Sequence, residues 1–206
     1  MGQKTAGIVL GLSILGVGGT ALAGEPGRVE PKLLRVFVVN QAHARPEVLR
    51  AAEDDVVTMF NRTGVRLGWL DEAAAVNQPF DVTIKITTGM TPAMLPNTAV
   101  GDLSLGFAAV NATGQGLRGR IAYVFFDQVE THAGDHHIDV SRLCGLVMAH
   151  EIGHLLLPAG HSDQGLMRGT WDLRSGLLEF FSKAEANAIR RNLAYMREHV
   201  SAVDEI

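Results

Sequence analysis

Cysteine is nearly missing from this sequence: of its 206 residues only Cys144 is one, so no internal disulfide can form. Stability must then come from a packed core, with or without the help of a metal. Cys144 sits in the apolar stretch SRLCGLVMAH and reads as a small buried hydrophobe with no chemical role. An excess of basic charge is missing too, since 18 Lys and Arg stand against 22 Asp and Glu for a net charge of −4. No cluster of Lys or Arg interrupts that balance, which excludes a general nucleic-acid binder and a binder of anionic membranes, both of which need a basic electrostatic footprint. Internal repeats are absent as well.

What is present is 47% hydrophobic residues in a length typical of one domain, enough for a sizeable core. The opening MGQKTAGIVLGLSILGVGGTALAG has Lys4 in a short first region, an apolar region from Ile8 to about Val17, and small residues at Ala21 and Ala23. This pattern predicts a secretory signal peptide over residues 1–23, cleaved near Ala23, and a secreted or periplasmic protein with no membrane attachment after cleavage. Residues 24–32, with EPGRVEP, form a linker, and 33–206 the functional domain.

Along that domain KLLRVFVVN reads as a strand, and Pro46 to Phe60 as a helix with Val48, Leu49, Ala52, Val56 and Met59 on one side. Pro46 opens that helix and Gly64 follows its end. GVRLGWL and FDVTIKITTG are further strands, the second alternating apolar Val82, Ile84 and Ile86 with polar neighbours. Thr88 to Gly119 reads as long loop except LSLGFAAV, an edge strand, and RIAYVFFDQV is the next strong strand. SRLCGLVMAHEIGHLL, capped by Asp139 or Ser141, is apolar nearly all round and reads as a central buried helix. Ser182 and Glu185 form a capping box for a C-terminal amphipathic helix. N-x-T sequons stand at Asn61 and Asn111.

The chemistry is concentrated in HEIGHLLLPAGHSDQGLM, His150 to Met167. Residues four apart share a helix face, so His150 and His154 can present their imidazoles to one ion with Glu151 beside them, the H-E-x-x-H zinc arrangement. Pro158 disfavours helical backbone at Leu157, and Gly160 can adopt the positive φ that turns the chain back, which brings His161 toward the metal. Three imidazoles leave zinc an open position for a water of lowered pKa, and Glu151 is the base for a hydrolysis through that metal-bound water. Asp163, Glu179 and Glu185 are the alternatives for the third ligand.

These residues resemble the metzincin zinc metallopeptidases, in their matrixin-like branch. HEIGH, GHS and GLM are similar to that family's helix, third-ligand histidine followed by serine, and methionine turn, with Met167 as the turn methionine. LGFAAVNATGQGLRGRIAYVFFD resembles the family's edge strand, glycine-rich loop and final strand before the active-site helix. Two departures stand out: Leu157 occupies the family's glycine position, and six residues rather than five separate His154 from His161. No pro-domain with a cysteine switch is visible, so no latency of that kind is expected.

The resemblance implies an α+β fold: a twisted, mostly parallel sheet with an antiparallel edge strand, an active-site helix and a C-terminal helix. It implies a secreted zinc-dependent endopeptidase with one catalytic Zn2+, a peptide or protein as substrate, no nucleic-acid partner, and a monomeric state. Leu105, Gly106, Phe107 and Ala108 would bind an extended substrate by strand addition, and Arg168 and Trp171 would shape the pocket beyond the scissile bond. The alternative is a non-catalytic zinc-dependent peptide-binding or structural protein that keeps the fold. A second group in DQVETHAGDHHID (Asp127, His132, Asp135, His136, His137, Asp139) could hold a second zinc or a calcium, but reads foremost as a polar loop and is left without a metal.

Overall fold

The structure, a computed structural model, describes residues 32–71, 73, 76, 81–89, 104–110, 120–158, 160–171 and 179–200. The expected signal peptide, the linker up to residue 31 and the sequon at Asn111 lie outside the described residues. Pro31–Ile206 forms one compact unit. Among the described residues no helix is long and apolar enough to cross a membrane.

Five strands, β1 (Lys32–Asn40), β2 (Val65–Leu70), β3 (Val82–Thr87), β4 (Gly106–Ala109) and β5 (Ile121–Phe125), make one sheet in the order β2-β1-β3-β5-β4. All neighbours are parallel except β4, which runs antiparallel to β5 with Gly106 opposite Val124 and Ala108 opposite Ala122. The expected mixed fold, mostly parallel with an antiparallel edge strand, is therefore present. Parallel neighbours need a crossover between them, and α1 (Pro46–Asn61) supplies the one from β1 to β2.

Side chains alternate along each strand, so paired residues line up on one face. Val36, Val82, Ile84, Ile86, Ala122, Val124 and Ala108 are all buried on the face that receives the helices. The opposite face is half-buried, with Phe107 stacked on Tyr123 at 6.3 Å between ring centroids and Lys85 over the same tyrosine. α1 buries Val48, Leu49, Ala52, Val56, Met59 and Phe60, with Pro46 in its first turn. α3 (Val140–Leu156) buries nearly every residue from Leu143 onward, as its all-round apolar sequence requires. The two helices cross closely at Gly145, where a Cβ would stand 2.8 Å from the Ala52 carbonyl oxygen. At the start of α3 the Asp139 carboxylate accepts from the backbone N–H of Ser141 at 2.8 Å and of Arg142 at 3.2 Å.

One expectation is corrected. Residues after β5, read as strand running into polar loop, form the helix α2 (Phe126–His136), and β5 ends at Phe125. The reason is a sparse apolar face: Phe126, Val129 and Ala133 are buried at helical spacing while the Asp and His residues between them stay on the open side. His137 ends the helix in the left-handed conformation at φ 56°, and the Ile138 N–H donates to the Ala133 carbonyl, closing the last turn.

α4 (Lys183–Val200) begins with the expected reciprocal cap, in which the Glu185 carboxylate accepts from Ser182 N–H at 2.7 Å and the Ser182 hydroxyl accepts from Glu185 N–H at 3.3 Å. Asn192 on α4 donates to the Leu156 carbonyl at 2.6 Å, satisfying an orphan acceptor at the end of α3. That bond anchors the C-terminal end of the helix that carries His150, Glu151 and His154.

Candidate metal centre and cleft

α3 stops where its sequence says it must. Leu157, before Pro158, is extended (φ −113°, ψ 160°), and Gly160 takes φ +106°, a region open to glycine because it has no Cβ. The extra residue between His154 and His161 is absorbed in this reversal, and His161 returns beside the helix. The chain then makes a tight turn: Ser162 N–H donates to the Met167 carbonyl at 2.8 Å, and Gly165 adopts φ +71°. Met167 is buried beneath α3 against Gly153, where any Cβ would overlap its sulfur.

One ring nitrogen from each of His150, His154 and His161 lies within 4.8 Å of the other two. His150 is anchored: its Nδ1–H donates to the Leu166 carbonyl at 2.8 Å, which leaves a lone pair on Nε2, and that atom faces His154 Nε2 at 2.9 Å. Trp171 Nε1–H donates to the same Leu166 carbonyl at 3.0 Å, and its ring meets His150 edge-on at 5.1 Å. Burial pulls the His150 imidazole down to about 4, against the weaker opposing pull of the Leu166 carbonyl, so the ring is neutral at physiological pH. A neutral, oriented imidazole is the form that ligates a metal, and the carbonyl that fixes its tautomer is the usual outer partner of a zinc-binding histidine. Three imidazole nitrogens, from one buried, one half-buried and one exposed histidine, fit the open three-ligand site that zinc takes when it is catalytic.

The carboxylate alternatives do not join the three nitrogens. Glu185 uses one oxygen in its cap, its other oxygen has no hydrogen-bond partner among the described residues, and it lines a hollow of about 270 Å³ on the side of His161 away from the Glu151 cleft, with Leu157. Asp163 is exposed and Glu179 half-buried, and among the described residues the histidines are the group of three that could hold a metal.

Glu151 is 6% exposed and packs under the edge strand, where a Cβ on Gly106 would stand 2.8 Å from both its Cγ and Oε1. Burial alone pushes its carboxyl up to about 8. Glu151 and His150 line a cleft of about 330 Å³ together with Leu105, Gly106, Arg168 and Trp171. Phe107 and Ala108 do not line it: Phe107 turns its side chain to the far face of the sheet, and Ala108 is buried beneath β4. Among the described strands β4 is the last of the sheet, so the backbone of Leu105 to Ala108 runs along its outer edge.

Two cleft residues escaped the sequence reading as a cleft wall. His132 and His136 project from α2 with rings stacked at 6.3 Å and 8° apart. Their signal was the i, i+4 spacing, hidden by reading the segment as loop. The rest of that acidic and histidine group is dispersed, since Asp127 accepts from Gly89 N–H at 2.8 Å and Asp139 caps α3.

No family model matches the chain, and no curated protein matches it by sequence. Among solved structures it is similar in fold to a zinc-dependent peptidase from Methanocorpusculum labreanum (strain Z), at 13% identity and a TM-score of 0.52, covering 75% of this chain and 99% of that one.

Proposed function

We propose that this chain is a secreted zinc-dependent endopeptidase of metzincin type. The observation that carries the reading is the convergence of three histidine nitrogens beside a buried glutamate, under the strand that ends the sheet among the described residues. The similarity in fold to a zinc-dependent peptidase supports it. His150, His154 and His161 would hold one Zn2+, with Met167 forming the floor under the helix that bears the first two. Zinc so held supplies Lewis acidity toward a carbonyl oxygen and lowers the pKa of water to about 7.

The chain's own groups do the rest. The backbone of Leu105 to Ala108 pairs with an extended peptide and sets the scissile bond over the cleft. Glu151 takes a proton from the attacking water as the new C–O bond forms, then gives it to the amine nitrogen as the C–N bond breaks. Burial raises this carboxyl, and a cation held by the neighbouring histidines would favour the ionised form that a base needs. Leu166 keeps His150 in the right tautomer throughout. The substrate is a peptide or protein, and the working unit is a monomer.

Replacing Glu151 by Gln removes the base without removing a ligand. The expected outcome is retained zinc with hydrolysis reduced by roughly 10²–10⁴-fold, checked by metal analysis and peptide turnover on the same sample. Wild-type turnover in that variant would overturn the mechanism, and zinc binding without turnover in the wild type would favour the non-catalytic binder. Export is tested separately: N-terminal sequencing of secreted or periplasmic material is expected to begin at Gly24, and full-length chain in the membrane fraction would contradict it.

A further inference from the structure

Apart from Glu151, the described residues that line the cleft include several hydrogen-bond donors and no carboxylate. His132 and His136 from α2 and Arg168 from the turn after Met167 line the same space. Arg168 is half-buried, its backbone N–H is tied to the Gly165 carbonyl at 3.3 Å, and among the described residues its guanidinium makes no ion pair. Asp127 on α2 is turned away to the Gly89 N–H. Among the described residues the one acid lining the cleft is Glu151, 6% exposed and covered by Gly106.

A guanidinium that is always charged and has no ion-pair partner among the described residues presents a fork matched to a carboxylate, and the two imidazoles that line the same cleft add N–H donors. Within a partly enclosed cleft such a pair is screened less than on open surface. We infer that Arg168, with His132 and His136, selects a peptide that carries a carboxylate within reach of the cleft, either an acidic side chain or a C-terminal carboxylate. The inference deepens the peptidase reading and rests on it for the turnover measurement, though not for the binding one.

The test uses the full chain supplied with zinc and matched peptide sets, Glu against Gln at each position and free C-terminal acid against amide. Turnover is measured on the wild type, and dissociation constants on the Glu151→Gln variant. A charge-assisted pair predicts a preference for the carboxylate of roughly 10–100-fold, seen in kcat/KM and in Kd. The peptide set in which it appears tells side chain from C-terminus. Arg168→Gln is expected to bring the ratio close to one, Arg168→Lys and the His132→Gln/His136→Gln pair to lower it part-way, and Arg45→Gln, outside the cleft, to leave it as it was.

A ratio near one in the wild type, or a ratio that survives Arg168→Gln, overturns the inference. Binding preference that depends on Arg168 with no cleavage of any peptide supports the inference and sinks the peptidase reading. Cleavage without preference does the reverse, and absence of both cleavage and binding overturns the two together.

Discussion

Two neighbouring helices each carry a pair of histidines four residues apart. On α3, His150 and His154 are 4.6 Å apart between ring centroids and nearly perpendicular; on α2, His132 and His136 are 6.3 Å apart and nearly parallel. The spacing is the same, but the surroundings differ. His150 is buried, anchored through Nδ1 to Leu166, and met by His161 from a returning loop. The α2 pair stands on a more exposed helix face, and among the described residues it belongs to no group of three potential ligands. The i, i+4 spacing alone therefore offers two donors; burial, a fixed tautomer and a third imidazole make one pair part of a group that could hold a metal.

The sharpest way to break that comparison is to remove donors one at a time. His161→Ala is expected to weaken zinc binding by more than the roughly 10–100-fold that loss of an outer-sphere partner costs, while Asp163→Ala, Glu179→Ala, Glu185→Ala and a His132→Ala/His136→Ala pair leave it within a few-fold of wild type. Zinc titration against a chromogenic chelator reads all five. If a carboxylate variant loses the metal and His161→Ala keeps it, the metzincin assignment fails.

A smaller effect comes from the two buried groups of α3 in metal-free protein. His150 has its folded-state pKa depressed to about 4 from 6.5, so its contribution to stability is present above pH 6.5 and lost as pH falls toward 4. Glu151 has its folded-state pKa raised to about 8 from 4.5, so its contribution is present below pH 4.5 and lost as pH rises through 8. Between 4.5 and 6.5 the two oppose each other. From pH 6.5 to 8 only Glu151 acts, and at about 1.4 kcal/mol per pH unit the metal-free protein loses about 2 kcal/mol over that window. Urea unfolding at the two pH values checks this, with Glu151→Gln expected to flatten the dependence; an equally steep loss in that variant would assign it to other groups.

Much of this arrangement was legible in the sequence because it is local. Pro158 and Gly160 mark the end of α3 and the return of His161, the alternation of Val82, Ile84 and Ile86 marks β3, and Ser182 with Glu185 marks the start of α4. α2 was not legible, because three buried residues among many polar ones carry too weak a period to outweigh a composition that reads as loop. The cover that Gly106 gives Glu151 was hidden for a different reason. It depends on which strand lies at the end of the sheet, a pairing between segments far apart in the chain that no local pattern records.

The central claim is that the three histidines and Glu151 make a zinc-dependent peptidase, and it is tested most directly by incubating the purified protein with a mixed peptide library, with and without a chelator. The account predicts internal cleavage that stops when the metal is removed and returns when zinc is restored. Cleavage that continues undiminished in chelator, or a zinc-loaded protein that cleaves no peptide, would contradict it.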